Sequence, residues 1–173
     1  MNPTLIMALR QESQGLFEAQ GILPVYSGLG TQRARQATAW AISQGAKSIL
    51  NLGSAGSRRF APGEMVQVDS FVLRDSPAFA AIKVQTLDLG FKSGVCGTGD
   101  GVELEPPLAC DLMDMEGYAI AEVCQKSGIP FYSYKFISDR SDANTRADWE
   151  KSLKFCAQHL WECFQKFQRH LKF

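Results

Sequence analysis

The stretch "VYSGLGTQRARQATAWAISQGAKSILNLGSAGS" (residues 25–57) decides the fold. It opens with an apolar run that ends in glycines, Gly28 and Gly30. It continues through a segment with Thr31 as N-cap and Gly45 as its stop, the two signals that bound a helix. A second apolar run, "KSILNL", then feeds "GSAGS", another glycine-rich turn. Two strands joined by a helix describe a βαβ unit, because parallel strands need a crossover rather than a hairpin. Ligands of open α/β sheets bind beyond the carboxyl ends of the strands, so both glycine turns belong on the binding side.

Working outward, "TLIMAL" (4–9) reads as a first strand, followed by polar "RQESQ" carrying Glu12. "GEMVQVDSFVLR" (63–74) has the β-rich composition of a longer strand, and "KSGVCGTGDG" (92–101) is a short strand that ends in glycines. In "LMDMEGYAIAEVC" (112–124) apolar or small residues fall at Met115, Ala119, Ile120, Val123 and Cys124, the spacing of a helix buried on one face. That helix is expected to begin at Met115, with Glu116 in its first turn and Asp114 as a cap. Gly128 stops it, and "IPFYSYKFISD" (129–139) is a strand of β-branched and aromatic residues. From about Ala147 a long amphipathic helix carries Trp149, Leu153, Cys156, Leu160, Phe164, Phe167 and Leu171 as a stripe that packs on the sheet. Glu12, Gly28–Gly30, "GSAGS", "TGDG", "SDRSD" and Glu116 should all converge at one end of the sheet.

Composition narrows the ligand. The chain has 173 residues, of which 45% are hydrophobic and 21% charged, enough for one core, so residues 1–173 are expected to form a single domain. Lys plus Arg and Asp plus Glu are 18 each, which leaves no global field to attract nucleic acid or an anionic membrane. The longest apolar runs fall far below membrane-spanning length and no leader pattern precedes them, so a cytoplasmic protein is expected. Five cysteines, Cys96, Cys110, Cys124, Cys156 and Cys163, form no C-x-x-C pair and read as reduced core thiols rather than disulfides or zinc ligands. The only histidines, His159 and His170, lie in the C-terminal segment. Carboxylates are therefore left to run any chemistry, without a metal.

The order of these pieces resembles the purine nucleoside phosphorylase and nucleosidase family, and within it the methylthioadenosine/S-adenosylhomocysteine nucleosidases. "NLGSAGS" (51–57) is similar to the family's Asn-Thr-Gly-Ser-Ala-Gly-Gly loop, "DMEGYAIAEVC" (114–124) to its Met-Glu-x-x-Ala-Ile-Ala segment, and "KFISDRSD" (135–142) to its Ile-Ser-Asp-x-x-Asp strand end. "SGLG" and "PGEMVQVDS" extend the match. The fold this implies is an α/β nucleoside phosphorylase-like domain, with a mixed, largely parallel central sheet flanked by helices.

The resemblance also implies roles. Glu116 would bind the ribose hydroxyls, since the two oxygens of a carboxylate can accept both hydrogen bonds of a cis-diol. Met115 would pack on the sugar, with Gly53, Ser54 and Val102 as further substrate contacts. Asp139 would protonate the purine N7 as the glycosidic bond breaks, and Glu12 would position and activate the attacking water. Two positions depart from the pattern: Val102 stands where the family's base-stacking aromatic lies, and Lys135 where the nucleosidases carry an arginine four residues before the catalytic aspartate. The chain is also shortened after its first helix and around residues 75–92. The implied activity is cofactor-free hydrolysis of a purine-type nucleoside, in a homo-oligomer, with a dimer expected. Phosphorolysis and a non-catalytic nucleoside-binding paralogue are the rivals. Asn51 replaces an arginine of the hexameric phosphorylases, which opposes phosphate, while Arg10, Arg33, Arg58 and Arg59 keep phosphate open.

Overall fold

A computed structural model describes residues 2–76, 80–101 and 110–171. Strand β1 (Thr4–Met7) leads through two single-turn helices, α1 (Arg10–Ser13) and α2 (Leu16–Ala19), to the short β2 (Val25–Tyr26). Helix α3 (Thr31–Ser43) returns the chain to β3 (Ile49–Gly56). There follow β4 (Met65–Leu73), β5 (Ile82–Lys83), β6 (Lys92–Thr98), β7 (Leu112–Asp114), α4 (Gly117–Ser127), β8 (Phe131–Asp139) and α5 (Thr145–His170).

The strands form one mixed sheet in the order β2-β1-β3-β7-β6-β4-β5, with β8 bonded to both β3 and β4. β1 lies parallel to β2, to one side, and to β3, to the other, so the crossover through α3 passes over β1 rather than joining neighbouring strands. β3 runs parallel to β8 from Ile49↔Phe131 onward and meets β7 antiparallel at Gly56↔Met113. β7 pairs with β6, β6 with β4, and β4 with β8. Those five pairings return to β3, so this part of the sheet closes on itself and carries the strand ends toward one mouth.

Period-2 alternation explains how the layers attach. Leu5, Met7, Leu50 and Leu52 point to a core completed by Leu160, Phe164 and Phe167 of α5. Ile6 and Ile49 point to the opposite core, with Ala34 and Ala41 of α3 and Ala119, Ile120 and Cys124 of α4. Both faces are covered, which is why these strands read as continuous apolar runs. Each such large side chain contributes about 1.5–3 kcal/mol of burial. Burial lifts the thiols of Cys96, Cys124, Cys156 and Cys163 well above their usual range, so they serve as core fillers.

Four expectations need correction. Helix α4 starts at Gly117, and residues 112–114, read as the approach to a helix, pair instead with β6. Thr31 is the first residue of α3 and Gly30 occupies its N-cap, because the Thr31 hydroxyl is engaged by Asp100 at 2.9 Å. β2 spans two residues where the apolar run and its glycines suggested more. On α5, Leu171 is 39% exposed and leaves the stripe, while Ala157 and Cys163 join it. Among the described residues, no helix is long and apolar enough to cross a membrane.

Candidate active site

Glu116 is held by a strand rather than by a helix. Thr98 at the end of β6 donates to Asp114 Oδ1 at 2.6 Å and accepts from the Tyr118 backbone N–H at 2.9 Å, which locks β7 to β6 through residue 114. Asp114 Oδ2 accepts the Gly117 N–H at 3.0 Å, so Asp114 caps α4 and leaves Glu116 free of that task. Gly117 is required here, because a Cβ would collide with the Phe71 ring. Glu116, at the N-cap position itself, turns its carboxylate to the Gly30 N–H at 2.9 Å.

The charge balance is set by Lys135. Its ammonium lies 2.8 Å from Asp114 Oδ2, with the two side chains 2% and 1% exposed. Burial works against the Lys135 cation, but the carboxylates, Asp114 first, outweigh it and hold the lysine firmly protonated. Glu116 is buried too, and burial, with Asp114 beside it, pushes its carboxyl up to about 7 against the pull of Lys135 and the Gly30 N–H. One cation thus serves two neighbouring carboxylates. Breaking such a pair by removing one partner typically costs about 3–5 kcal/mol.

Glu12, in the polar run that follows β1, is 3% exposed. α1 folds it back against β3, where its Oε1 accepts both the Ser54 N–H at 2.7 Å and the Ser54 hydroxyl at 2.6 Å. Its Oε2 accepts the Leu9 N–H at 3.2 Å. Gly53 stands behind this wall rather than in it. A Cβ there would lie in ordinary contact with Glu12 Oε1 at 3.4 Å and Lys135 Nζ at 3.8 Å, which places both charged groups against β3.

Asp139 ends β8 in a cluster of donors. Ser138 Oγ lies 2.6 Å from its Oδ2, while its Oδ1 accepts the Ser141 N–H at 2.9 Å and the Thr145 hydroxyl at 3.1 Å. Asp142 holds the following turn by accepting the Asn144 N–H at 2.8 Å. A side chain at Gly56 would strike Ser141 and the Asp139 carboxylate, which explains the second glycine of "GSAGS".

Glu12, Ser54, Met115, Glu116 and Asp139 line one cavity of about 330 Å³, a volume suited to a small molecule. Val102, with Glu103 beside it, lies outside the described residues. The residue that sequence reading missed is Trp149: assigned to the packing stripe of α5, it lines the cavity and donates its indole N–H to Ser54 Oγ at 3.0 Å. Of the arginines that kept phosphate in view, Arg10 pairs with Glu18, Arg59 pairs with Asp111, Arg33 folds over Gly28, and Arg58 donates to the Ser141 carbonyl. None of the four lines the cavity. Arg74 and Arg146 do; Arg74 donates to the carbonyls of Gly99, Gly101 and Asp114, and Arg146 pairs with Glu150.

A closed mixed sheet whose strand ends gather four buried acids, Glu12, Asp114, Glu116 and Asp139, around one cavity defines an α/β protein of the nucleoside phosphorylase fold. The sequence matches the phosphorylase superfamily over residues 80–170, more than half of the chain, and the protein belongs to that superfamily. A 5'-methylthioadenosine/S-adenosylhomocysteine nucleosidase of Marinomonas sp. (strain MWYL1) is 28% identical, over 84% of this chain and 79% of the relative. Among solved structures, the Helicobacter pylori nucleosidase of the same name, bound to butyl-thio-DADMe-Immucillin-A, superposes with a TM-score of 0.82 at 20% identity, over 98% of this chain and 97% of its own. Futalosine hydrolase of Helicobacter pylori gives the same TM-score and identity, over 98% of this chain and 96% of its own. At such identities these structures establish the fold.

Proposed function

We propose that the protein hydrolyses the N-glycosidic bond of a purine-type nucleoside of the methylthioadenosine/S-adenosylhomocysteine kind, with water as nucleophile. The observation that carries the choice of water is the Glu12–Ser54 contact. The Ser54 N–H and hydroxyl would make a cradle for an anion, and both are already given to Glu12 Oε1. A phosphate placed against that carboxylate would be repelled by about 4 kcal/mol per pair of unit charges 4 Å apart at an effective dielectric near 20. The N-terminus of α3, another natural anion site, is likewise filled: Gly30 N–H by Glu116 and Thr31 N–H by Asp100, the latter at 2.7 Å.

The steps follow from the donors and acceptors present. Glu116 accepts hydrogen bonds from the ribose hydroxyls while Met115 covers the sugar. Glu12 Oε1 takes two protein donors, whereas Oε2 takes one among the described residues and keeps a lone pair for a water proton. As the C1′–N9 bond lengthens, Asp139 gives a proton to the base and an oxocarbenium-like sugar forms, which the water attacks with loss of its proton to Glu12. Ser138 suits both states of Asp139. Its hydroxyl donates to the carboxylate, and when Asp139 carries the proton it can accept instead and turn its own hydrogen to the Ala55 carbonyl at 3.3 Å.

The test is base release from a panel of purine nucleosides, with and without a 5′-thioether, by the wild type and by Glu12→Gln in phosphate-free buffer. The reading expects release by the wild type and its loss in the variant. Release by neither protein from any nucleoside would overturn it.

A further inference from the structure

We propose that Trp149 is a positioning residue for the nucleophile: through the Ser54 hydroxyl it orients the carboxylate of Glu12 that activates water. The proposal rests on the hydrolase reading above. An indole N–H can only donate, so at 3.0 Å Ser54 Oγ is obliged to accept from Trp149. The hydroxyl carries a single hydrogen of its own, and the acceptor beside it is Glu12 Oε1 at 2.6 Å. Trp149 thereby fixes which way the Ser54 hydroxyl points. Accepting from the indole also polarises the O–H and strengthens the bond it donates onward, as in other hydrogen-bond chains.

The consequence lies at the far end of the relay. The Ser54 N–H and hydroxyl together occupy Oε1, so the carboxylate plane is pinned and the remaining lone pair of Oε2 is presented at a fixed angle. Without the indole N–H, the Ser54 hydroxyl can rotate toward a water in the cavity and compete for it. Glu12 then loses one of the two donors that fix its Oε1, and the angle at which Oε2 meets the water is no longer held. The indole comes from α5, an element distant in sequence from both partners. The catalytic carboxylate is thus coupled to the docking of the C-terminal helix.

The experiment uses Trp149→Phe, which keeps an aromatic ring and removes the N–H. Its kcat is expected to fall about threefold to tenfold with KM changed less than about twofold, as suits loss of one hydrogen bond in a charged network. The loss should fall on kcat rather than on KM, because the relay acts on the nucleophile and not on nucleoside binding. Adding Trp149→Phe to Ser54→Ala should have little further effect, because the relay acts as one unit. A kcat equal to that of the wild type, a loss that falls on KM instead, or effects of the two changes that multiply, would overturn the relay and leave hydrolysis standing. If Trp149→Phe folds poorly, hydrogen exchange of the Trp149 indole N–H serves instead. The relay expects faster exchange in Ser54→Ala, and an unchanged rate would refute it. A wild type that releases no base from any nucleoside is a separate result, the failure of the hydrolase reading, and the relay falls with it.

Discussion

Replacing Glu116 with glutamine should stabilise the protein at neutral and alkaline pH while it disables the sugar site. Burial, then Asp114, raises the carboxyl from 4.5 to about 7. Between those values the folded protein holds a proton that the unfolded chain has released, so the wild type loses stability as pH rises through the window. At about 1.4 kcal/mol per pKa unit, the accumulated cost above pH 7 is about 3 kcal/mol. Glutamine does not titrate, yet its carbonyl oxygen can still accept the Gly30 N–H. Urea denaturation should therefore show a stability gain for Glu116→Gln of under about 1 kcal/mol at pH 5 that grows to about 3 kcal/mol at pH 8. Nucleoside affinity should fall by about 1.5–3 kcal/mol, since an amide hydrogen now faces a ribose hydroxyl. A stability difference that stays constant from pH 5 to 8, or a variant less stable than the wild type at pH 8, would refute the assignment of a strained buried carboxylate.

The other expectations concern neighbouring groups. Asp139→Asn should lower turnover of purine nucleosides by about 10² to 10⁴. A p-nitrophenyl riboside, whose leaving group needs little protonation, should be spared most of that loss, and equal losses on both would make Asp139 a positioning group. Lys135→Met should destabilise the fold by about 3–5 kcal/mol by stranding Asp114, and adding Asp114→Asn should recover part of it in the same denaturation assay. With ribose hydroxyls proposed to bind the ionised form of Glu116, wild-type affinity for a nucleoside should weaken as pH falls below about 7, and binding should release a proton near that pH, both readable by calorimetry in two buffers.

What the sequence showed and hid has physical causes. The glycine turns, the helix between them and the fully apolar strands were readable because period 2 and the helix boundary signals are local. Glu116 does line the cavity, but it sits at the N-cap of α4 rather than in a first helical turn. Residues 112–114 are too few to carry a strand signature, and their pairing depends on Thr98, distant in sequence. Nothing in the polar run around Glu12 announces its burial, which goes with its contact to Ser54, 42 positions along the chain. Trp149 fits the periodicity of α5 as well as any core residue does, and only the approach of β3 turns its polar edge into a hydrogen-bond donor. Long-range contacts of this kind leave no mark on local pattern.

The most direct test of the central claim is the identity of the sugar released from methylthioadenosine in phosphate-free buffer and again with phosphate added. The account predicts the free 5-methylthio sugar in both, at the same rate. Release only when phosphate is present, with the 1-phosphate ester as product, would contradict it and mean that Glu12 yields the Ser54 cradle to an anion.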